Sequence, residues 1–356
     1  MPRLYSNLIG WGHYAPENVV TNDDLAKIID TSDEWIQSRS GIKERHIAGE
    51  NDFTSTMSAE AARRAMKQAR IAPEDVDFLI VATSSPDYIT PPVSSLVQDQ
   101  LGLKCGAMTT MVGCTGFVYA LVTADQFIQT GAYRTIIVVG AELISRNLDW
   151  EDRTTCVLFG DGAGAVVVQA TETSCGMRSF ELGSEGASYE AIIAYCPGTA
   201  EPVTHERIDA RRQYLRMNGR AVFRFATTVM GASLQRVLEK ANMTPDDIDL
   251  FIPHQANARI IEYAVKKMNL PPEKVVMNVD RYGNTSAASI PIALSEALTE
   301  GRAKPGDTLA LIGFGAGLTW ASTIFDLGTT LTETPKRAEP KATVISGDGV
   351  VEGLIA

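Results

Sequence analysis

Short, unbroken apolar runs alternate along this chain with longer segments in which apolar residues recur every three or four positions. The runs FLIVA (78–82), TIIVVGA (135–141) and TLALIGF (308–314) are rich in β-branched residues and have no polar face, the pattern of strands covered on both sides. AEAARRAMKQA (59–69) and ASLQRVLEKA (232–241) carry the period of amphipathic helices. The order of these elements repeats. ARIAPEDVDFLIVA (69–82) and ANMTPDDIDLFIPH (241–254) share Ala, a small residue, Pro-acidic-Asp-aliphatic-Asp and an apolar run, 172 residues apart. YRTIIVVGAE and GDTLALIGFG align Thr135 with Thr308 at nearly the same offset. Each half therefore reads as helix, turn, buried strand, long loop, helix, turn, strand. The pattern predicts a duplicated α/β architecture with one half over 1–172 and the other over 173–327. Residues 328–356 mix Thr, Pro, Lys and Gly without amphipathic period, so a loosely ordered tail is expected, with strand-like ATVIS (342–346) as the exception.

Composition narrows the class. The chain has 356 residues, 45% of them hydrophobic, enough for one large domain or two smaller ones. MPRLYSNLIGWG lacks the basic start and apolar stretch of a signal peptide, and no window of about 18 apolar residues offers a membrane span, so a soluble, cytoplasmic protein is expected. Five cysteines, with no CxxC or Cys/His ligand spacing, argue for reduced thiols and against a disulfide framework or a zinc site. A net charge of −11 disfavours nucleic acid as a general partner but leaves room for a local basic patch that recruits an acidic one.

In open α/β sheets, sites form beyond the carboxyl ends of the strands, and two pseudo-twofold halves bring equivalent loops together. Three residues occupy such loops. Cys114, in TTMVGCTGFVYALVTADQF (109–127), opens a segment with Phe117, Val118, Leu121, Ala124, Phe127 and Ile128 on one stripe. That places the thiol at the N-terminus of a buried helix, where the dipole can lower its pKa well below about 8.5. A buried inert thiol is the alternative. His254 ends an apolar strand before QAN, and Asn284 sits in RYGNTSAASIP (281–291), roughly where the second half matches Cys114. Taken singly, a satisfied loop histidine and a turn asparagine account for both. FGDGAGAVVV (159–168) runs from a turn into a β-branched strand and reads as a hairpin, since it lacks the helix that a phosphate loop requires. GFGAGLTW (313–320) joins two strands, and its glycines let backbone N–H groups approach a ligand or simply form a tight turn.

With Cys, His and Asn in that order, the sequence resembles the type III β-ketoacyl-[acyl-carrier-protein] synthases of the thiolase-like superfamily. The resemblance covers about residues 3–327 and rests on TSDEWIQSRSGIKERHI (31–47), GCTGFVYAL (113–121), DRTTCVLFGDGAGA (152–165), PHQANARI (253–260), GNTSAASIP (283–291) and GFGAGLTW (313–320). It implies a five-layered αβαβα fold, a homodimer, and condensation of an acyl-CoA primer with malonyl-acyl carrier protein to start fatty-acid synthesis. Acyl-CoA is then a substrate, with no resident cofactor or metal. Cys114 would be the acylated nucleophile, and His254 and Asn284 would bind the malonyl thioester carbonyl. The backbone N–H groups of Cys114 and Ala316 would form the oxyanion hole; Ala316 stands where the family often has Gly. The match also implies Trp35 and Arg153 around the adenine, Arg39 near the phosphates, Asn257 near the pantetheine arm, and Arg224, Arg259, Lys266 and Lys267 as the carrier-protein patch. Thr90, in TSSPDYITPP (83–92), falls on a loop that in the family caps the partner's acyl pocket.

Other readings compete. A related ketosynthase or acyltransferase of secondary metabolism would keep Cys, His and Asn. A cysteine hydrolase would use His254 as base and Asn284 as its orienter, and a non-catalytic scaffold would form no acyl-cysteine.

Overall fold

The repeated Pro-acidic-Asp motif folds the same way twice. In the computed structural model, which describes residues 3–329, helix α2 (Thr54–Ala69) stops at Arg70, whose φ of 57° breaks the helical run. One tight turn over Pro73–Asp75 follows, closed by the Ala72 N–H donating to the Asp75 carboxylate. Asp77 then accepts the N–H groups of Arg134 and Thr135, tying strand β2 (Phe78–Ala82) to β4 (Thr135–Glu142). The second half repeats each step: α5 (Gly219–Ala241) ends at Asn242 with φ 56°, Asp247 accepts the Thr244 N–H, and Asp249 accepts the Thr308 N–H. These short polar residues satisfy backbone donors that the turn would otherwise orphan.

Two sheets result. The first has the order β1–β5–β4–β2–β3, where β1 is Tyr5–Tyr14, β3 is Gly106–Thr110 and β5 is Gly162–Thr171. The second has the order β6–β9–β8–β7, where β6 is Gly176–Ser184, β7 is Leu250–Pro253, β8 is Thr308–Gly315 and β9 is Thr319–Asp326. The two orders correspond strand for strand, and an isolated parallel bridge between Phe251 and Val275 stands where β3 would be. Helices α4 (Gly116–Gln129) and α7 (Ser289–Thr299) lie between the sheets in one apolar cluster with residues of both. Helices α2 and α3 (Val93–Gln100) cover the outer face of the first sheet, and α5 and α6 (Ala258–Met268) that of the second. This is the five-layered αβαβα arrangement. Its central layer explains why α7 is buried at every position from Ser289 to Leu298.

Layers this close need glycine at the crossing. A Cβ on Gly140 would lie 2.3 Å from the Ala287 carbonyl oxygen, and one on Gly164 would lie 2.6 Å from the Ile292 nitrogen. Within FGDGAGAVVV, Gly162 and Gly164 thus face α7, whereas Gly160 lies against the Tyr282 carbonyl. The hairpin expected there is not formed: β5 pairs antiparallel with β4, but residues 143–161 separate them. That connection carries Arg153 to the rim of the site described below. The expected tail, with ATVIS, lies outside the described residues beyond 329. No helix among the described residues is long and apolar enough to cross a membrane.

Candidate active site

Two short turns meet at the centre of the molecule. Gly113–Thr115 leads into α4 and Ser286–Ala288 leads into α7. The β8–β9 hairpin presses onto the first turn: a Cβ on Gly315 would sit 2.8 Å from both the nitrogen and the Cβ of Cys114. Only a residue without a side chain allows this approach. It brings the Ala316 N–H, together with that of Cys114 itself, to the sulfur. Ala316 keeps an ordinary backbone conformation, the left-handed turn falling on Gly317.

Cys114, His254 and Asn284 line one cavity of about 940 Å³. His254 and Asn284 are buried and Cys114 is half-buried, whereas Arg39 and Arg153 are exposed, which sets a floor and a rim. Burial neutralises the floor. It pushes the Cys114 thiol up to about 12, helped by the Glu142 carboxylate and opposed by a hydrogen bond from Ser286. The lowered pKa expected from the helix N-terminus is therefore not found, because desolvating a thiolate costs more than the turn's N–H groups return. Burial also lowers His254 to about 3. The imidazole is neutral, with Nδ1 2.6 Å from Ser289 Oγ and its ring edge-on to Phe314 at 5.3 Å. Asn284 is fixed by its backbone to Leu158 and Gly160, and its Oδ1 accepts the Ser286 N–H at 2.8 Å. The amide nitrogen is left for the cavity. A neutral ring and an amide supply donors without a full positive charge.

The sign of the His254 shift predicts a pH effect on stability. The unfolded chain takes up a proton near 6.5 that the native site refuses until about 3. Its contribution to stability is whole above 6.5 and is lost as pH falls towards 3. Melting temperature measured against pH should therefore fall more steeply on acidification in wild type than in His254→Asn, and parallel curves would contradict the assignment.

The remaining expected residues divide. Trp35, Arg39, Arg153 and Asn257 all line the cavity. The Arg153 guanidinium lies over the Trp35 ring, 5.2 Å from its centroid, and is held by Asp30, so a purine enters between them only after Arg153 turns away. Asn257 is already engaged: its Oδ1 caps α6 at the Arg259 N–H and its Nδ2 donates to the Arg39 carbonyl. Arg224 is exposed on α5, and Arg259, Lys266 and Lys267 on α6. None of the four enters an ion pair among the described residues. Thr90 is exposed and does not line this chain's own cavity. Sequence reasoning assigned no role to Glu142, Ser286, Ser289 or Phe314. The two serines lie inside GNTSAASIP, two and five residues past Asn284, but serine after a Gly-Asn turn is ordinary loop chemistry and carries no distinguishing pattern.

Known proteins match over most of the chain. The family models for 3-oxoacyl-[acyl-carrier-protein] synthase III and for its C-terminal region match residues 109–186 and 238–327. The chain is 47% identical over 323 residues to a β-ketoacyl-[acyl-carrier-protein] synthase III of Caldanaerobacter subterraneus, covering 90% of this chain and 98% of that one. Among solved structures, the 3-oxoacyl-[acyl-carrier-protein] synthase III of Aquifex aeolicus superposes with a TM-score of 0.85 at 45% identity, covering 90% of this chain and 99% of that one. The corresponding synthase of Thermus thermophilus gives 0.86 at 44%, covering 91% and 100%.

Proposed function

The chain belongs to the β-ketoacyl-[acyl-carrier-protein] synthase III family, and from that premise we infer that it condenses an acyl-CoA primer with malonyl-acyl carrier protein to initiate fatty-acid synthesis. The observation that carries the reading is the sulfur of Cys114 under two backbone N–H groups, in one cavity with a neutral histidine and an asparagine amide. Cys114 takes the acyl group from CoA, and the N–H groups of Cys114 and Ala316 hold the oxyanion of that step. Loss of CO2 from the malonyl group leaves an enolate, whose oxygen meets the His254 and Asn284 donors. The enolate carbon then attacks the acyl-cysteine and frees the sulfur. Acyl-CoA acts as substrate, reaching Cys114 past Trp35, Arg39, Arg153 and Asn257. The reaction needs no resident cofactor or metal, and cytoplasmic location follows from its substrates. The test is a steady-state assay with acyl-CoA and malonyl-carrier protein: β-ketoacyl-carrier protein and CO2 should form one for one, and release of free acid instead would mark a hydrolase.

Arg224, Arg259, Lys266 and Lys267 form the proposed docking patch for the acidic carrier protein on a chain of net charge −11. Arg259→Glu and Lys266→Glu should each raise KM for malonyl-carrier protein about three- to tenfold, less at high salt, with acylation by acyl-CoA unchanged. An equal fall in the acyl-CoA step would make these residues structural.

A homodimer is supported by the edge of the first sheet. Among the described residues strand β3 has a free edge, and Met111, just past its end, and Tyr88 and Ile89, in the loop after β2, are exposed apolar side chains. A twofold pairing would cover both and carry Thr90 towards the partner's acyl pocket. A primer methylene is worth about 0.8 kcal/mol when buried, so threonine there should admit primers longer or more branched than acetyl. Thr90→Phe is expected to lower kcat/KM for isobutyryl- and hexanoyl-CoA relative to acetyl-CoA, and an unchanged ratio would remove Thr90 from the pocket.

A further inference from the structure

A buried polar path leads from Cys114 to the end of β4, and the reaction described above leaves it unused. Glu142, the last residue of β4, is fully buried. Its carboxylate accepts the Ser84 N–H at 3.1 Å and the hydroxyls of Ser85 and Thr83, and it also faces the Ala287 N–H. Ser286 Oγ lies 3.1 Å from Glu142 Oε1 and 3.3 Å from the Cys114 sulfur. Ser286 has one hydroxyl proton. With the thiol protonated, both contacts hold at once in one sense: the Cys114 S–H donates to Ser286 Oγ, and the Ser286 O–H donates to Glu142.

Two further features show that this path is built. Ser286 holds a φ of 49°, a left-handed conformation that is strained for a non-glycine residue and persists where the surroundings enforce it. It also stands 172 residues after Cys114, at the place in the second half that the cysteine holds in the first. The duplication itself therefore sets the two side chains face to face.

We propose that Ser286 and Glu142 relay the Cys114 proton: Ser286, in contact with the sulfur, is a further catalytic residue, and Glu142, acting through it, is the positioning residue that stores the proton. The proposal rests on the acyl-CoA reading above. As the bond from Cys114 sulfur to the acyl carbon forms, the thiol proton passes to Ser286 Oγ and the Ser286 proton passes to Glu142. The bond to CoA breaks with its electron pair on the departing sulfur, which takes a proton from water. In condensation the new carbon–carbon bond forms and the bond to Cys114 breaks with its pair on sulfur. The proton stored on Glu142 then returns through Ser286. Nothing is oxidised or reduced.

The electrostatics suit a store that fills and empties near neutral pH. Burial pushes Glu142 up to about 7, and its contacts on this path are N–H and hydroxyl groups of Thr83, Ser84, Ser85, Ser286 and Ala287. Cys114 is the titratable group that faces it, and the nearby His254 is neutral.

The test compares wild type, Glu142→Gln and Ser286→Ala in single-turnover acylation by acyl-CoA and in Cys114 alkylation by iodoacetamide, each from mildly acid to mildly alkaline pH. In wild type both rates should rise as Glu142 ionises near 7. Each variant should lose about 10²-fold or more in rate at neutral pH and should lose that rise. Should Glu142→Gln fail to fold, Ser286→Ala carries the test, since it leaves the Ser84 and Ser85 contacts in place. A variant that keeps the rise near neutrality, with or without a fall in rate, overturns the relay. A wild type that shows the rise in alkylation but takes no acyl group from acyl-CoA overturns the substrate reading and leaves the relay standing.

Discussion

Cys114→Ala should abolish self-acylation by acyl-CoA, whereas His254→Ala and Asn284→Ala should block decarboxylation of malonyl-carrier protein and leave acylation largely intact. The division follows from where each group acts. In the proposed reaction the sulfur is the atom that bonds to the primer, and it lies under the N–H groups of Cys114 and Ala316. His254 and Asn284, fixed respectively by Ser289 and by Ser286, would on that route present neutral donors to an oxygen that becomes negative only when CO2 has left. Donors preorganised for a developing charge are worth about 10²–10³ in rate each, because they need no reorganisation as the charge forms. Separate assays of the two half-reactions decide the matter. Equal loss of both in all three variants would mean that the residues hold the cavity together without dividing the chemistry.

Gly315→Ala should be almost as damaging to acylation, although residue 315 has no side chain to lose. The added methyl would meet the nitrogen and Cβ of Cys114 at 2.8 Å and the sulfur at 3.1 Å, so the β8–β9 hairpin must lift. Lifting takes the Ala316 N–H away from the sulfur and removes half of the proposed oxyanion hole. A loss of about 10²-fold in acylation rate is expected, with a stability cost of roughly 1–3 kcal/mol from overpacking. Gly186→Ala is the matched control, since nothing lies within 4 Å of a Cβ there. Wild-type acylation in Gly315→Ala would show that the hairpin is not part of the oxyanion site.

Much of the fold could be read in the sequence because duplication writes the same physics twice. The Asp77 and Asp249 carboxylates cap equivalent strand starts, and their motif is local, so a self-comparison finds it. The close approach of the hairpin to Cys114 was legible only as glycine content, since the same glycines also suit a plain turn. FGDGAGAVVV misled for a related reason: its Gly162 and Gly164 answer to α7, and its Gly160 to the Tyr282 carbonyl, all far away in sequence, and local pattern cannot report a partner across the layer. The thiol of Cys114 misled through electrostatics. A helix N-terminus is visible in sequence, but the burial that outweighs it depends on both halves closing around the sulfur. Glu142 and Ser286 escaped notice because a charged residue ending a strand and a serine in a turn are each unremarkable until the fold sets them on either side of one proton.

On the proposed route the primer passes through Cys114 on its way to a β-ketoacyl product. A pulse of radiolabelled acyl-CoA, quenched and digested, followed in a parallel sample by a chase with malonyl-carrier protein, measures this directly. Label is expected on the Cys114 peptide after the pulse and on β-ketoacyl-carrier protein during the chase, transferred at the rate of turnover. Label released as free acid, or product formed at that rate by Cys114→Ala, would contradict it.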